Sequence, residues 1–554
     1  MNPLSLFKHV VQLRIAARKT FTKGTTFHRL MRFLFVNPVG MLIPYGVCLW
    51  ALYFMAPVWV HHYVFIVGLQ ESVPWVIIAL SIYLGLRFIS RYTRAEDGLM
   101  NILNPIVVGG FVLPLCVGVT LAILLSSIRW VQIYEDSQFA DINTLPHVSN
   151  QHVRYTPHQV ASEEIVRRTQ TSAFTPGKTR ALGSQQGVAY ITPLVPQGVW
   201  NMLLGNNSSF MYFADEGTDE NLRRVTELTG EPFAYGEGME VFDDIHRRLI
   251  WEVGFLNTYP EIYYAPIFEK NGKLKEVIGV VPYISYRFWW GLWIPKWGGV
   301  ALFHPDGTLE NLTPETAIAD ARLSTSHRLF PEHLASLYTQ AQRFDMGDGI
   351  LERVWFGTIR RPGKIEVPWL PGDEQMPFFL PMEDGSYRYV TSVEPDGEAY
   401  ALLRMYFVNA KTGERTVYRF DTAGRPENLQ GPAKVISYAK TLPGYVWFEE
   451  GTRGSSGTYR IVEPRPVTPV GKDHLFWMLS ITTADYARVV ATVFVDAATN
   501  EVHGPFTDRA TTFAWLRGEE VKPQQAPHEE MTILCAELQT MWTNFCASAG
   551  DAPH

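Results

Sequence analysis

Two long runs without Asp, Glu, Lys or Arg limit what this chain can fold into: residues 33–70 and residues 102–128. A helix of about 20 apolar residues crosses the roughly 30 Å hydrocarbon layer of a bilayer. A third apolar run, 73–90, carries one charge, Arg87, near its end, where a long side chain can reach the interface. The pattern predicts three N-terminal transmembrane helices, at about 41–60, 73–90 and 104–128.

The placement of charges predicts how these helices are oriented. Residues 1–101 hold ten Lys or Arg against three Asp or Glu, whereas residues 102–554 hold 38 against 52. Cytoplasmic loops are enriched in basic residues, so we expect the basic segment 1–32 and the loop 90–101 to be cytoplasmic. Three crossings then predict a multi-pass inner-membrane protein with a large extracytoplasmic C-terminal region. Membrane lipids are therefore expected partners, and the acidity of that region argues against nucleic acid.

The rest of the chain alternates short β-type runs with a few helical stretches. Runs of aromatic and β-branched residues end in polar turns near Phe213, Phe303, Val408 and Val495, at intervals of 90, 105 and 87 residues. Such spacing is typical of tandem repeats. We predict a membrane-anchored α+β protein whose helices are followed by a linker, 129–160, and by four units of antiparallel sheet and helix: 161–230, 231–345, 346–465 and 466–554, the last with a C-terminal helix.

Capping and turn residues predict helices within this region. Thr313 is a good N-cap, and Pro314 suits the first helical turn that follows it. On the same reasoning, helices are expected at 157–169, 218–228, 314–323 and 331–343, and a last one near 532–546.

Two predicted hairpins have closely related sequences, Val408-Asn-Ala-Lys-Thr-Gly-Glu414 and Val495-Asp-Ala-Ala-Thr-Asn-Glu-Val502. Gly413 and Asn500 occupy equivalent positions, and both residue types tolerate the positive φ that a tight, bulged connection requires. Each hairpin resembles the closing hairpin of PepSY-type domains, which commonly reads V-D-A-x-T-G-E. The resemblance implies small extracytoplasmic α+β modules associated with peptidase inhibition or envelope binding. It implies no catalytic residue.

Sequence motifs for common chemistries are absent. The chain contains no H-E-x-x-H, C-x-x-C, G-x-S-x-G or P-loop motif, and we predict no catalytic residue, no metal ligand and no cofactor. Cys535 and Cys546 could form a disulfide, but in one straight helix they would lie about 16 Å apart, too far to be bridged. A disulfide therefore requires a break between them. Free thiols and bonds to another chain are the alternatives.

An aromatic segment, residues 283–297, has seven aromatic side chains in fifteen residues. So many rings cannot all face inward from one strand, because successive side chains alternate between the two faces. One interpretation is an interface with a membrane, a ligand or another subunit, since Trp and Tyr favour surfaces that are apolar on one side and wet on the other. The other is a plug in the core between two repeats. The candidate binding or interface residues are Tyr283, Tyr286, Trp289, Trp290, Trp293 and Trp297.

These features favour a membrane-anchored extracytoplasmic binding or scaffold protein that forms a homo-oligomer or assembles with an envelope protein partner. A second hypothesis is an envelope hydrolase acting on peptide or glycan, which needs clustered carboxylates or a nucleophile with its base. A third is a subunit of an oligomeric channel or transport complex. The predicted spans carry no charge away from their ends, so a pore would have to form by oligomerisation.

Overall fold

The structure is a computed structural model, and the chain divides into two compact units: Met1–Ser72 with His246–Leu256, and Val73–Ile245 with Asn257–His554. The residues that it describes are 57–70, 77–78, 80–85, 87, 105–150, 152–169, 173–184, 187–204, 207–216, 225–239, 243–268, 274–289, 292–323, 328–345, 347, 349–358, 364–370, 376–397, 401–420, 429–448, 457–472 and 474–521.

The described α-helices are, in chain order, α1 (Pro57–Val60), α2 (Pro105–Asp136), α3 (His158–Arg168), α4 (Val199–Leu204), α5 (Ile245–Glu252), α6 (Pro314–Ala319), α7 (Glu332–Ala341), α8 (Ile350–Thr358), α9 (Pro432–Ala439) and α10 (Arg509–Leu516). A π-helical segment, His61–Gln70, follows α1, and two 3₁₀ turns, Ala321–Leu323 and Gln342–Phe344, follow α6 and α7.

In the first unit, the described residues are α1, the π-helical segment and most of α5 with the loop after it. The ring of Phe255 packs edge-on against His61, with centroids 5.3 Å apart, and also contacts Phe65 at 5.9 Å. His61 and Phe65 are buried. Of the span predicted at 41–60, all but residues 57–60 lies outside the described residues.

In the second unit, α2 is the one described helix that is long and apolar enough to cross a membrane, judged by length and composition over Leu115–Asp136. Its 32 residues measure about 48 Å at 1.5 Å per residue. Apolar side chains between residues 112 and 124 are exposed, Leu113 to 66%, whereas Val131 and Ile133 are buried in a core. The structure therefore supports one apolar span, not the three that the sequence predicts.

The span predicted at 73–90 is described only in part. Residues 77, 78, 80–85 and 87 are helical. Gly118 of α2 faces this segment so closely that a β-carbon there would overlap the Ser81 hydroxyl. The predicted linker 129–160 also contains regular structure, because α2 continues to Asp136 and strand β1 (Ala140–Ile142) follows it.

The described strands form four sheets, whose members follow one another along the chain with a single exception. Sheet A contains β2 (Phe174–Pro176), β3 (Arg180–Ser184), β4 (Gly187–Pro196), β5 (Asn207–Glu216) and β6 (Val225–Phe233). Sheet B contains β7 (Tyr263–Phe268), β8 (Leu274–Trp289), β9 (Leu292–Phe303) and β10 (Leu309–Leu312). Sheet C contains β11 (Ile365–Glu366), β12 (Phe378–Pro381), β13 (Tyr387–Pro395), β14 (Arg404–Asn409) and β15 (Arg415–Arg419). Sheet D contains β16 (Tyr459–Val467), β17 (Phe476–Thr483), β18 (Val489–Asp496) and β19 (Val502–Phe506).

Within each sheet the neighbouring strands are antiparallel, except that β1 joins sheet C parallel to β15. The mixed α+β architecture with several antiparallel sheets is thus confirmed.

The structure confirms three of the predicted helices: 157–169 as α3, 314–323 as α6 with its 3₁₀ turn, and 331–343 as α7 with the 3₁₀ turn that follows it. The helix predicted at 218–228 is wrong where it is described, because β-branched Val225 and Thr226 begin β6, which pairs with β5.

The four positions that define the sequence interval are structurally equivalent. Phe213, Phe303, Val408 and Val495 each lie on the penultimate strand of a sheet in chain order, and each is the last residue of that strand that pairs with the sheet's final strand. A helix precedes each sheet in the chain, and these helices (α3, α5, α7 and α9) begin at residues 158, 245, 332 and 432. Helix-then-sheet order therefore recurs four times in the described chain.

The two related hairpins share one hydrogen-bond pattern. The carbonyl of Asn409 accepts the Gly413 N–H at 2.8 Å, and that of Asp496 accepts the Asn500 N–H at 3.0 Å. In each turn the side-chain oxygen of that first residue, Asn409 or Asp496, also accepts the backbone N–H groups two and three residues later. Gly413 has a φ of 71° and Asn500 a φ of 66°. The predicted positive φ at both positions is confirmed.

The sheets share cores. Rings of Phe210 and Phe233 from sheet A contact Tyr264 and Phe303 from sheet B, with centroids 4.8 to 6.0 Å apart. Sheets C and D form a second core with α9, and a third joins the last turns of α2 to α7 and to sheets A, B and C. No described sheet is an isolated module, so the four sheets depend on one another for burial.

We predict that Asn500→Val destabilises the protein by about 1–2 kcal/mol, because a β-branched residue is strained at a φ of 66°. The control Asn500→Gly should change stability by a few tenths of a kcal/mol, since glycine adopts this conformation freely. Chemical denaturation of the full chain in detergent measures both. Equal losses for the two variants would contradict the argument.

Candidate functional site

A cleft of about 460 Å³ lies where three sheets and α7 meet, and most of its polar lining is charged. The residues come from the segment before α3, the start of β3, the residue pair before β7, the start of α7 and the start of β12. We call it the charged cleft; its lining is Arg154, His158, Lys178, Thr179, Arg180, Ala181, Glu261, Arg328, Glu332, His333, Ser336, Met376, Pro377 and Phe379.

One wall is held by a buried ion triad. Arg154 donates to the Glu463 carboxylate at 2.6 Å, and Arg465 lies 3.8 Å from the same carboxylate. All three side chains are 1% exposed or less. The other Glu463 oxygen accepts the backbone N–H of His158 at 2.7 Å and so caps the first turn of α3. Glu463 lies at a bulge in β16, so sheet D is locked to the cleft wall.

His158 contributes a neutral ring to this wall. Burial lowers the pKa of His158, with its Nε2 2.9 Å from the Thr179 carbonyl oxygen. A neutral imidazole donates one N–H, and the carbonyl can only accept, so the geometry assigns the proton to Nε2. This bond ties α3 to the segment that leads into β3 and carries Lys178 and Arg180.

The opposite wall is organised by Glu261. Its carboxylate accepts the Tyr263 hydroxyl and the backbone N–H groups of Glu332 and His333, the latter two at 3.3 and 3.1 Å. These N–H groups have no partner within the helix because they belong to its first turn. Pro331, which precedes them, makes no side-chain cap. Glu261 therefore serves as the cap of α7 and fixes the helix to sheet B.

Arg328 forms the floor and is only 4% exposed. Its guanidinium donates to the Ala181 carbonyl at 2.8 Å and pairs with Glu332. It also lies 4.4 Å from the Tyr263 ring centroid and 4.7 Å from that of Phe379, where the faces of aromatic rings favour a cation. The Nε–H of Arg328 is buried and has no hydrogen-bond acceptor among the described residues.

Lys178 and Arg180 supply further positive charge. Lys178 lies in the loop before β3 and Arg180 is the first residue of that strand, and both line the cleft. Neither side chain forms an ion pair with any residue that the structure describes. Partial burial, and then repulsion from Arg180, lower the pKa of Lys178. The carboxylates of Glu261 and Glu332 act in the opposite direction on this pKa but do not restore it to its ordinary value.

The two carboxylates that line the cleft hold neighbouring groups in place. Both oxygens of Glu261 accept hydrogen bonds, and Glu332 is paired with Arg328. The described residues also contain no group of three or more His, Cys, Asp or Glu that could hold a metal ion.

The aromatic segment predicted from the sequence is a two-stranded hairpin of β8 and β9, which explains how its rings reach both faces. At its base, buried Tyr283 donates to the Asn311 side chain at 3.0 Å, and the Tyr286 hydroxyl lies 2.8 Å from that of Thr258. The Trp297 ring meets Phe330 edge-on at 5.4 Å. This end of the hairpin belongs to the core, as the core-plug interpretation expects.

The tip of the hairpin is different. Phe288 is 62% exposed, and its ring meets that of Trp293 edge-on at 5.2 Å. The Trp293 carbonyl accepts the Arg129 Nε–H at 3.0 Å, and half-buried Trp289 packs against the core that contains α2. Trp290 lies outside the described residues, as do Cys535 and Cys546. The hairpin tip therefore stands beside α2 at the residue that closes its uncharged run.

Sequence reasoning missed the charged cleft because its residues come from segments far apart in the chain. One local signal exists in Val462-Glu-Pro-Arg465, where two charged residues lie within the fully buried part of β16. Glu and Arg are rarely buried completely unless they are paired. Nothing in the sequence indicates which distant residues pair with them.

No protein-family model matches this chain, and no curated protein matches it. The resemblance of the two hairpins to PepSY-type domains stays a prediction.

We predict that Glu463→Gln destabilises the protein by about 3–5 kcal/mol, because it removes the charged partner that two buried arginines, Arg154 and Arg465, share. The control is Glu164→Gln, which removes a partly exposed pair with Arg168 and should cost less than about 1 kcal/mol. Denaturant titrations of both full-length variants decide the point. A small loss for Glu463→Gln would mean that the triad adds little to stability.

Proposed function

We propose that this protein is a membrane-anchored extracytoplasmic binding or scaffold protein that assembles with itself or with an envelope partner. The sheets would be tandem PepSY-like modules on the outer side of an inner membrane, and the basic N-terminal segment would be cytoplasmic. The observation that carries this proposal is the division of α2 into two environments.

The first part of α2 offers apolar side chains to its surroundings on many sides, including Leu113, Val117, Leu121 and Ile123. A helix that is apolar all round is stable where lipid or protein covers it. The last part of the same helix is a core element of three sheets. An unbroken helix with these two halves supports a bilayer around the first and a folded domain around the second.

The contact between Gly118 and Ser81 supports further spans. Helices in lipid associate through small residues that let backbones approach closely. Around Ser81, exposed Leu80, Tyr83 and Leu84 give the second segment the same apolar surface as α2. A bundle of three helices, with the first supplied by residues near 41–60, remains the topology that we propose.

Two apolar surfaces flank the end of the proposed span. One is the hairpin tip at Phe288 and Trp293. The other is α8, which packs on α2 through Arg353, 3.6 Å from Glu135, and leaves Leu351 77% exposed. Trp and other apolar side chains at this level favour the boundary between headgroups and acyl chains. We therefore propose that lipid covers the hairpin tip.

Topology is tested by labelling single cysteines in a cysteine-free background. Lys472→Cys, at an exposed turn of the second unit, should react with a membrane-impermeant maleimide in intact cells. Ser5→Cys, in the basic N-terminal segment, is the matched control and should react only after permeabilisation. The reverse pattern would place the sheets in the cytoplasm and overturn the proposal.

The lipid contact is tested with Phe288→Cys carrying an environment-sensitive fluorophore in the same background. The side chain is exposed, so the label should not disturb folding. In liposomes, headgroup spin labels should quench this fluorophore and leave a label at Lys472→Cys unquenched. If quenching is equal at the two sites, the hairpin tip does not contact the bilayer. If quenching appears only after the protein is diluted to monomers, another subunit covers the tip instead.

A further inference from the structure

We infer that the charged cleft binds an oxyanion, a carboxylate or phosphate group, that is attached to a small apolar group. This deepens the binding role proposed above and rests on that role alone, not on the membrane topology. The inference comes from the charge of the lining, the unsatisfied donors and the apolar side chains beside them.

The lining carries an excess of positive charge. Four cationic side chains, Arg154, Lys178, Arg180 and Arg328, face two carboxylates, Glu261 and Glu332. Arg154 and Arg328 have carboxylate partners, whereas Lys178 and Arg180 have no ion pair in the described part of the chain. Without a ligand, nearby carboxylates such as Glu261 and Glu332 offset the charge of Lys178 only in part.

Unsatisfied donors point to the same ligand. The buried Nε–H groups of Arg180 and Arg328 lack acceptors among the described residues. Buried donors usually have a partner, and an unpaired one costs free energy. An oxyanion offers several lone pairs and accepts from guanidinium groups in a bidentate manner. One anion between Arg180 and Lys178 could accept from Arg180 and would reduce the repulsion between the two cations.

The shape of the cleft adds an apolar requirement. Met376, Pro377 and Phe379 line it beside the cations. A volume of about 460 Å³ exceeds what a bare phosphate or carboxylate fills, and ligand sites typically combine apolar walls with a few polar groups. We therefore expect an anion with an attached ring or short chain to bind more tightly than the inorganic ion.

The test uses the full chain in an uncharged detergent and buffers without oxyanions. Isothermal titration calorimetry compares inorganic phosphate with phenyl phosphate and benzoate. We expect saturable binding, about tenfold tighter for phenyl phosphate than for phosphate, and weaker binding as sodium chloride is raised. The two organic probes separate the phosphate from the carboxylate source. No saturable binding of any of the three would overturn the inference.

The double variant Lys178→Met, Arg180→Met should weaken phenyl phosphate binding at least about tenfold. The matched control is Lys472→Met, Arg488→Met, which removes the same charge from exposed sites outside the cleft and should leave the affinity unchanged. Equal loss in both would show that only net charge matters, and the inference would fail. If the double variant does not fold, Lys178→Met alone, at an exposed residue, should still bind more weakly than the wild type; unchanged affinity would overturn the proposal.

The stability of the ligand-free variant separates a binding role from a structural one. Folding partly buries the Lys178 ammonium and places it near Arg180, and both effects disfavour its charge, so Lys178→Met should raise or preserve the unfolding midpoint while it weakens anion binding. A lower midpoint with unchanged binding would assign Lys178 to folding. The labelling of Lys472→Cys tests only the orientation in the membrane. A result that contradicts the proposed topology therefore leaves the anion-binding inference untouched.

Discussion

A single helix, α2, must satisfy two different surroundings along its length, and the positions of sheets A, B and C depend on it. Its exposed apolar side chains end near Leu124, and Val131, Ile133 and Tyr134 lie inside the core that these sheets share. In lipid a backbone must keep its hydrogen bonds within the helix, so in the topology that we propose α2 cannot end before it leaves the bilayer. By continuing without a break to Asp136, α2 fixes the sheets next to the proposed membrane surface. A flexible linker at this point would remove that constraint.

The charged cleft follows from how the sheets pack. Because the sheets bury their faces against one another, their strand ends and helix starts meet near one place, where free N–H groups need acceptors. Glu463 and Glu261 meet this need at α3 and α7. Buried ion pairs add little net stability compared with apolar packing of equal volume. We therefore infer that these carboxylates set the relative positions of the elements: Glu463 fixes sheet D against α3, and Glu261 fixes sheet B against α7.

The sequence predicted the parts of this fold that local chemistry controls. The intervals between Phe213, Phe303, Val408 and Val495 identified the penultimate strand of every sheet, because each precedes a hairpin turn with its own residue preferences. The helix expected at 218–228 was wrong where it is described, because Val225 and Thr226 pair in β6 with β5, which is a contact outside that segment. The cleft was not predictable for a stronger reason, since it depends on contacts between distant segments.

The long-range contacts that make the cleft unpredictable from the sequence also hold its side chains in position before a ligand binds. Arg328 is held by the Ala181 carbonyl, by Glu332 and by two aromatic rings, so its guanidinium is already in place before an anion arrives. The start of α7 is fixed by Glu261, and the opposite face of that helix, at Leu334 and Tyr338, is buried in the core around α2. Groups held in this way lose little freedom on binding, and much of the cost of association is such loss. The buried charges are unfavourable in the ligand-free protein, and because they are already in place, an anion that binds there gains interactions at little cost in conformational freedom.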